Sequence, residues 1–209
     1  MFRKIKRLIY KTFRPLRFIN KRKKFKNNSL SVFASDCVGC TMLHDLGLRF
    51  NSPFVNLYLN AKDFIKYLKD PCKYNSLEFT EVRTDKNYPV GLLGDIEFNF
   101  VHYKTFEEAV QSFKRRVKRI NFESLYIIMS EKNGCTYDDM IEFDRLPYKN
   151  KVIFTHLKYN DIKSSFYISG FENQGCIGNI MAWDKKIGSR IYDRFDFANW
   201  LNEESVDFG

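Results

Sequence analysis

Short apolar runs that alternate with segments of helical spacing constrain the fold of this chain more than any other feature. The runs 30–35, 124–129 and 151–155 have the length and composition of buried strands. A helix is predicted over 106–119, where the capping box Thr105-x-x-Glu108 begins an apolar stripe. Strands separated by helices imply a mostly parallel sheet with helices on both faces. The sequence therefore predicts a three-layer α/β fold.

The other predicted elements follow from the same periodicities and from turn residues. They are a helix that closes near Gly47, a helix over 61–69 capped by Asn60, strands at 77–82, 96–101 and 165–169, and helices near 137–143 and 197–201. Apolar and polar side chains alternate along 96–101. This strand is therefore half-exposed, and it is expected to be antiparallel or to lie at an edge.

The excess of positive over negative charge is confined to the N-terminal segment of the chain. Residues 1–27 carry 12 of the 35 Lys and Arg residues and no acid, and the remaining 23 basic residues face 25 acidic ones. Apolar residues recur at helical spacing among these basic residues from Phe2 to Leu16. Such a basic amphipathic stretch favours an anionic membrane surface as the partner of residues 1–27. A merely solvated tail is the alternative. Nucleic acid is the weakest candidate partner, because no recognisable nucleic-acid-binding module follows the tail.

Two further features predict the compartment and the domain division. The longest apolar run near the N-terminus, Leu8-Ile9-Tyr10, is too short for a signal peptide and far below the roughly 20 residues that span a bilayer. The five cysteines are an odd number, which favours reduced thiols. We therefore expect a cytoplasmic protein, peripheral at the inner membrane face. Its predicted parts are a basic tail and linker at 1–28 and a single domain at 29–209.

The carboxyl ends of the predicted strands are the first place to look for a site, because ligands of open parallel sheets bind there. That edge collects Ser35, Asp36, Cys37, Asn60, His102, Ser130, Glu131 and His156. Cys37 lies between a strand and a helix N-terminus, where partial positive charge can make a thiol a nucleophile. His102 or His156 could act as its base. The alternative is that Cys37 is a small core residue and each histidine a satisfied polar group.

The spacing Cys37-x-x-Cys40 also suggests a redox couple or a pair of zinc ligands. Zinc needs a second pair of ligands, and Cys72, Cys135 and Cys176 supply none at a suitable spacing, so no metal site is predicted. A dithiol couple would suit the strand-turn-helix location, but the spacing alone is a weak signal. Both cysteines could instead be buried.

Several motifs are similar to those of one bacterial family. They are Ser-Asp-Cys-Val-Gly-Cys at 35–40, His-Asp-Leu-Gly-Leu-Arg-Phe-Asn-Ser-Pro-Phe-Val-Asn-Leu-Tyr-Leu at 44–59, Tyr-Pro-Val-Gly-Leu-Leu-Gly-Asp-Ile-Glu at 88–97 with His102-Tyr103, Arg115-Arg116, Arg119-Ile-Asn121, Tyr-Lys-Asn-Lys-Val at 148–152 and Trp-Leu-Asn at 200–202. This set, spread over residues 30–202, resembles the family of unknown function DUF1919. The first motif departs from the family's usual Asn-Asn-Cys-Trp-Gly-Gly, notably at Asp36 and Val38. The resemblance implies an α/β fold and an association with capsule or exopolysaccharide gene clusters, and it carries no settled activity.

Two sets of candidate site residues follow from the chemistry and the resemblance together. The catalytic candidates are Cys37, His44, His102 and His156, and the substrate-binding candidates are Asp36, Asp95, Glu97, Arg115, Arg116 and Asn121. Arginine side chains suit bidentate phosphate contacts, and the alternative for them is a solvated helix face. Asp95 and Glu97 could act as paired carboxylates, or Gly94-Asp95 could simply form a turn. The sequence has no glycine-rich nucleotide motif, so no cofactor is assigned.

Three functions are compatible with these features. The first is a transferase of exopolysaccharide or capsular polysaccharide biosynthesis, acting on an activated sugar, acyl or phosphate donor at the inner membrane face. The second is a non-catalytic, membrane-associated accessory or scaffold protein of polysaccharide assembly, since no complete catalytic constellation is visible. The third, nucleic acid binding, rests on net charge alone. Convergence of Cys37 with the three histidines in one pocket would favour the enzyme, and scattering would favour the scaffold.

Overall fold

The computed structural model describes residues 18–23, 25, 27–184 and 188–202. In this part of the chain the strands are β1 Ser31–Ala34, β2 Phe79–Val82, β3 Val90–Leu93, β4 Ile96–Asn99, β5 Leu125–Ser130, β6 Asn150–Thr155, β7 Ser165–Tyr167, β8 Trp183–Asp184 and β9 Ser189–Arg190. The helices are α1 Val38–Leu46, α2 Ala61–Lys69, α3 Pro71–Asn75, α4 Phe106–Val117, α5 Tyr137–Asp144 and α6 Phe197–Leu201, with a 3₁₀ turn at Ile191–Arg194. None of these described helices is long and apolar enough to cross a bilayer.

A four-stranded parallel sheet in the order β1-β5-β6-β7 forms the centre of the fold. All residues of β5 are buried, as expected for a parallel strand that is covered on both faces. Its side chains alternate between two apolar clusters. Ile127 belongs to the cluster that contains α2, α4 and α5 residues, and Ile128 to the cluster that contains α1 and α6 residues. Helices therefore cover both faces of the sheet, and the predicted α/β fold is confirmed.

A second, antiparallel sheet in the order β2-β3-β4 packs beside the first. The strand predicted at 96–101 is β4, and its antiparallel pairing with β3 agrees with the expectation. The expected half-exposure of this strand is wrong, because all residues of β4 except Glu97 are buried. Phe98 of β4 makes edge-to-face contacts with Phe79 and Phe113, with ring centroids 5.1 and 5.4 Å apart. These aromatic contacts hold α4 against the antiparallel sheet.

Residues 52–60, termed the bridging loop, connect the two sheets. The backbones of Tyr58 and Asn99 exchange hydrogen bonds of 2.9 and 3.1 Å in an isolated antiparallel bridge to β4. The N–H of Leu59 donates to the carbonyl of Ser35 at 3.0 Å, directly after β1. The bridging loop therefore lies against the carboxyl end of β1.

Residues 18–23 are helical and pack on the face of the sheet that α1 and α6 cover. Phe18 is 5% exposed and stacks on Phe197 with ring centroids 5.7 Å apart, and Phe25 is buried in the same cluster. Arg22 donates from Nε to the carbonyl of Asp45 at 2.8 Å. Residues 1–17, with the predicted amphipathic positions, lie outside the described residues, and the domain boundary at residue 28 stays a prediction. The described residues before that boundary nevertheless contribute to the core.

We predict that Phe18→Ala lowers the free energy of unfolding by about 3 kcal/mol, because truncation of a buried aromatic side chain leaves a cavity. Ile19→Ala is the matched control: this side chain is 37% exposed, and its loss should change the free energy of unfolding by less than about 0.5 kcal/mol. Urea denaturation followed by circular dichroism measures both variants. Equal stability would show that residues 18–25 do not contribute to the core.

Candidate active site

Polar residues follow β1, β5 and β6 at the point where each strand ends. Asp36, Glu131 and His156 come one or two residues after the last residue of their strands. Because the three strands are parallel, their carboxyl ends lie at one edge of the sheet, here called the carboxyl edge. The predicted gathering of polar residues at this edge is therefore observed.

Glu131 and His156 form a buried pair at the ends of β5 and β6. One carboxylate oxygen of Glu131, Oε2, lies 2.6 Å from Nδ1 of His156 and accepts the backbone N–H of the same residue at 2.8 Å. The other oxygen, Oε1, accepts the hydroxyl of Tyr159 at 3.1 Å. The side chains of Glu131 and His156 are 5% and 8% exposed. Three donors therefore fix this carboxylate in a nearly dry environment.

The Glu131 contact sets the chemistry of the imidazole. A carboxylate against Nδ1 holds the proton on that nitrogen, so Nε2 presents its lone pair. No described residue hydrogen-bonds to Nε2 of His156. An imidazole oriented in this way can accept a proton from a hydroxyl group. Burial and the Glu131 carboxylate raise the pKa of Tyr159 to about 12, so the phenol remains a donor to Glu131.

The two cysteines of the first motif lie at the start of α1. Cys37 precedes the helix and Cys40 belongs to its first turn. Gly39 allows this placement, because a Cβ on Gly39 would lie 2.6 Å from the Cβ of Ala34. A glycine at this position thus lets α1 approach β1 closely, and the cysteines follow directly from the end of the strand.

The two thiols lie three residues apart on one helical turn and differ in acidity. The neighbouring Cys40 and burial raise the pKa of Cys37 well above its ordinary value. The neighbouring Cys37 and the backbone N–H of Asn56 lower the pKa of Cys40 to about 7. Asn56 lies in the bridging loop and adopts a left-handed conformation, with φ of 63°. The two thiols therefore titrate as a pair, and the more acidic of them is the more reactive one.

Asp36 makes a hydrogen bond and an ion pair at the carboxyl edge. Its Oδ1 accepts the N–H of Val38 at 2.9 Å at the start of α1, and its Oδ2 lies 3.6 Å from Nζ of Lys132. Lys132 directly follows Glu131, so this ion pair joins the ends of β1 and β5. The predicted substrate-binding residue Asp36 therefore lies at the carboxyl edge, where it hydrogen-bonds to the start of α1 and pairs with Lys132.

The other two catalytic candidates lie in different places. His102 is exposed in the turn after β4, and its backbone N–H donates to the carbonyl of Asn56 at 3.3 Å, so it borders the part of the bridging loop that contacts Cys40. His44 is exposed and lies seven residues after Cys37 along α1, about 10 Å further along the helix axis. The structure therefore keeps His102 near the cysteines and separates His44 from them.

Asp95 and Glu97 do not pair with each other. Asp95 lies in the turn between β3 and β4, where Lys66 approaches it to 3.1 Å and, with Tyr74, holds the pKa of the carboxyl below its ordinary value. Glu97 lies on β4 and contacts Lys86 at 3.1 Å, which lowers its pKa in the same way. Each carboxylate has its own cation, so a joint acid-base role for the two is not supported.

The predicted arginine and asparagine contacts lie at the opposite end of the strands, here called the amino edge. The backbone N–H of Asn121 donates to the hydroxyl of Ser31, the first residue of β1, at 2.9 Å. Arg116 donates to the hydroxyl of Tyr103 at 2.6 Å, and Arg115 donates to Ser112 on its own helix. The structure therefore divides the predicted substrate-binding set: Asp36 lies at the carboxyl edge, Asp95 and Glu97 lie in the antiparallel hairpin of β3 and β4, and the other three lie at the amino edge.

Five residues of the site were in neither set of candidates. Glu131 was predicted only to lie at the strand ends, Cys40 was considered only as a partner of Cys37, and Lys132, Tyr159 and Asn56 had no predicted role. Lys132 directly follows Glu131 after β5, and Tyr159 comes three residues after His156, which follows β6. Their proximity to strand ends could have indicated both residues. Asn56 acts through its backbone N–H, and neither its side chain nor its spacing signals such a contact.

Comparison with known proteins agrees with the resemblance of the motifs. The family model described as "Domain of unknown function (DUF1919)" matches residues 8–202. The chain belongs to the DUF1919 family. An uncharacterized protein of Haemophilus influenzae is 43% identical over 203 residues, which cover 96% of this DUF1919 chain and 98% of that protein. The family match begins before the helical residues 18–23, in agreement with their packing on the core of this DUF1919 protein.

We predict that Glu131→Ala lowers the free energy of unfolding by about 3 kcal/mol, because it leaves two donors of His156 and the hydroxyl of Tyr159 without their acceptor. Glu123→Ala removes an exposed carboxylate just before β5 and should cost less than about 0.5 kcal/mol. Denaturant titration of both variants is the measurement. A loss of less than about 1 kcal/mol for Glu131→Ala would contradict the buried network.

Proposed function

We propose that this DUF1919 protein is a transferase of exopolysaccharide or capsular polysaccharide biosynthesis that acts at the inner face of the cytoplasmic membrane. The observation that carries the enzymatic part is the buried Glu131–His156 pair at the carboxyl edge. Such edges are where open parallel sheets bind their ligands. The polysaccharide context is supported by the resemblance of the motifs to a family found in capsule and exopolysaccharide gene clusters.

In this proposal His156 is the general base of the transfer. A hydroxyl group of the acceptor donates to Nε2, and the imidazole takes its proton as the oxygen attacks the activated group of the donor. A bond forms between the acceptor oxygen and the transferred sugar, acyl or phosphoryl group, and the bond to the leaving group breaks. Glu131 stabilises the imidazolium that results, because its carboxylate lies 2.6 Å from Nδ1.

Lys132 supports an anionic donor at the same edge. Sugar nucleotides and coenzyme A thioesters carry phosphate groups, and an ammonium group attracts them electrostatically. Lys132 directly follows Glu131, and its side chain is 19% exposed beside Asp36. A donor phosphate there would compete with the Asp36 carboxylate for this lysine.

An arginine cluster at the amino edge supports the membrane location. We name Arg49, Arg115, Arg116 and Arg119 the amino-edge cluster. Burial and the charges of the other three arginines lower the pKa of Arg119 from its ordinary value. Within the described part of the chain, no carboxylate lies within ion-pair distance of these four side chains. A cluster of uncompensated guanidinium groups attracts anionic headgroups.

The described helical residues 18–23, which carry part of the basic segment, reach the same edge. Arg22 donates to the carbonyl of Asp45 near the end of α1, and Arg49 follows that helix by three residues. The segment and the amino-edge cluster thus form one basic surface at this point. The same surface would also suit a non-catalytic accessory protein that docks at the membrane, which is the second candidate function. The separation of His44 and His156 from Cys37 favours this second candidate.

Donor binding and transfer separate the two candidates. We predict that a member of a panel of sugar nucleotides and coenzyme A thioesters raises the melting temperature of the full chain, because a ligand stabilises the native state by mass action. His156→Gln should retain this shift but lose transfer to a sugar acceptor by at least about 100-fold. His44→Gln, an exposed histidine away from the site, is the control and should keep full activity.

Two results would contradict the transferase. If no donor shifts the melting temperature, the accessory protein becomes the better interpretation. If transfer occurs but survives His156→Gln, the base is a different residue.

We also predict that the full chain co-sediments with vesicles that contain anionic lipid, and that binding weakens with salt. Replacement of Arg49, Arg115 and Arg119 by Gln should weaken binding roughly 100-fold, at about 1 kcal/mol for each charge. The control removes three other exposed charges, through Gln substitutions of Lys62, Arg83 and Lys104. Equal losses in the two variants would show that net charge alone drives binding, and equal binding to neutral vesicles would exclude the proposed surface.

A further inference from the structure

The two cysteines at the start of α1 are not used by the proposed transfer reaction. Cys37 and Cys40 are both partly exposed, so small reagents can reach them. The base His156 follows β6, which is separated from β1 by β5. Adjacent strands lie about 4.8 Å apart, so His156 is about 10 Å away across the sheet and does not act on either thiol.

The helix brings the two cysteines within reach of each other. Cys37 directly precedes α1 and Cys40 lies in its first turn, and residues three apart on one helical turn have Cα atoms about 5 Å apart. A disulfide needs Cα atoms about 4.4–6.8 Å apart. Cys37 and Cys40 can therefore form a bond by rotation of their side chains, without movement of the helix.

The surroundings prepare one sulfur for attack. In its thiol form Cys40 lies 3.0 Å from the carbonyl of Cys37, to which it donates. Cys40 lies in the first turn of α1, where the partial positive charge of the helix N-terminus stabilises its thiolate. The Cys37 sulfur lies 3.8 Å from the carbonyl oxygen of Leu57 in the bridging loop. Cys40 can therefore act as the first nucleophile, and Cys37 as the thiol that attacks second.

We propose that Cys37 and Cys40 form a dithiol–disulfide couple that reacts with low-molecular-weight disulfides. The Cys40 thiolate attacks one sulfur of the small disulfide, the S–S bond breaks, and one thiolate leaves. The Cys37 sulfur then gives up its proton to solvent and attacks the Cys40 sulfur of this mixed disulfide, which releases the second thiolate. The two cysteines are oxidised to one disulfide, and the small disulfide is reduced to two thiols.

Oxidation of the two cysteines would change the contacts of the bridging loop. The disulfide removes the thiol that contacts the carbonyl of Leu57. Asn56 of the same loop accepts the backbone N–H of His102, so the loop connects the couple to the turn after β4. This proposal does not depend on the transferase, because it uses different residues and a different reaction.

The test uses the purified full chain and oxidised glutathione as the probe. After reaction, free thiols are blocked with N-ethylmaleimide and the modified cysteines are identified by mass spectrometry of peptides. The wild-type chain should form the Cys37–Cys40 disulfide, whereas Cys37→Ala should stop at glutathione attached to Cys40. Cys72→Ser, which removes an exposed cysteine elsewhere, should behave as wild type. Circular dichroism confirms that each variant is folded.

A second measurement tests the contact between the thiols. In the wild type, alkylation of Cys40 by iodoacetamide should rise with pH through about 7. In Cys37→Ala the neighbouring thiol is lost, so the rate at pH 7 should fall about tenfold as the pKa returns toward its ordinary range. The proposal is overturned if no Cys37–Cys40 disulfide forms at any glutathione ratio, or if glutathione attaches to Cys72 or Cys176 in preference to Cys40.

Discussion

The parallel pairing of β1, β5 and β6 is the constraint on which the rest of the structure depends. The ladder fixes Ala34 opposite Ile128 and Ser130 opposite Phe154, so the three strands end together. Both faces of β5 are buried, and a shift by one residue would move its side chains into the wrong apolar cluster. Asp36, Glu131 and His156 are far apart in sequence, and this register alone brings them to one edge.

Local patterns in the sequence predicted most of the elements, because strands, helices and caps depend on residues a few positions apart. The Asn60 cap of α2 and the apolar run of β5 lie where expected. The edge of the sheet could also be predicted, since parallel strands must end on one side. The Glu131–His156 hydrogen bond could not, because it depends on the register between β5 and β6. The Cys40 thiolate likewise depends on Asn56, whose place in the bridging loop no short pattern indicates.

The order of elements explains why Arg115, Arg116 and Asn121 lie far from Cys37. A helix that precedes a parallel strand must end near the amino end of that strand, because the chain enters the strand there. Since α4 leads into β5, its last turn belongs to the amino edge. The order of elements thus contained the signal that separates these arginines from the cysteines.

The two edges together limit how a membrane-bound transferase of this fold could work. The amino-edge cluster and His156 lie at opposite ends of strands of about six residues, which span about 20 Å. If the arginines contact the headgroups, His156 faces away from the bilayer and stays in aqueous solution. A phosphorylated, water-soluble donor can reach such a site freely. An acceptor linked to a lipid can react there only if its hydroxyl group extends about 20 Å beyond the bilayer surface. The end of an oligosaccharide chain extends that far, whereas a membrane-embedded headgroup does not.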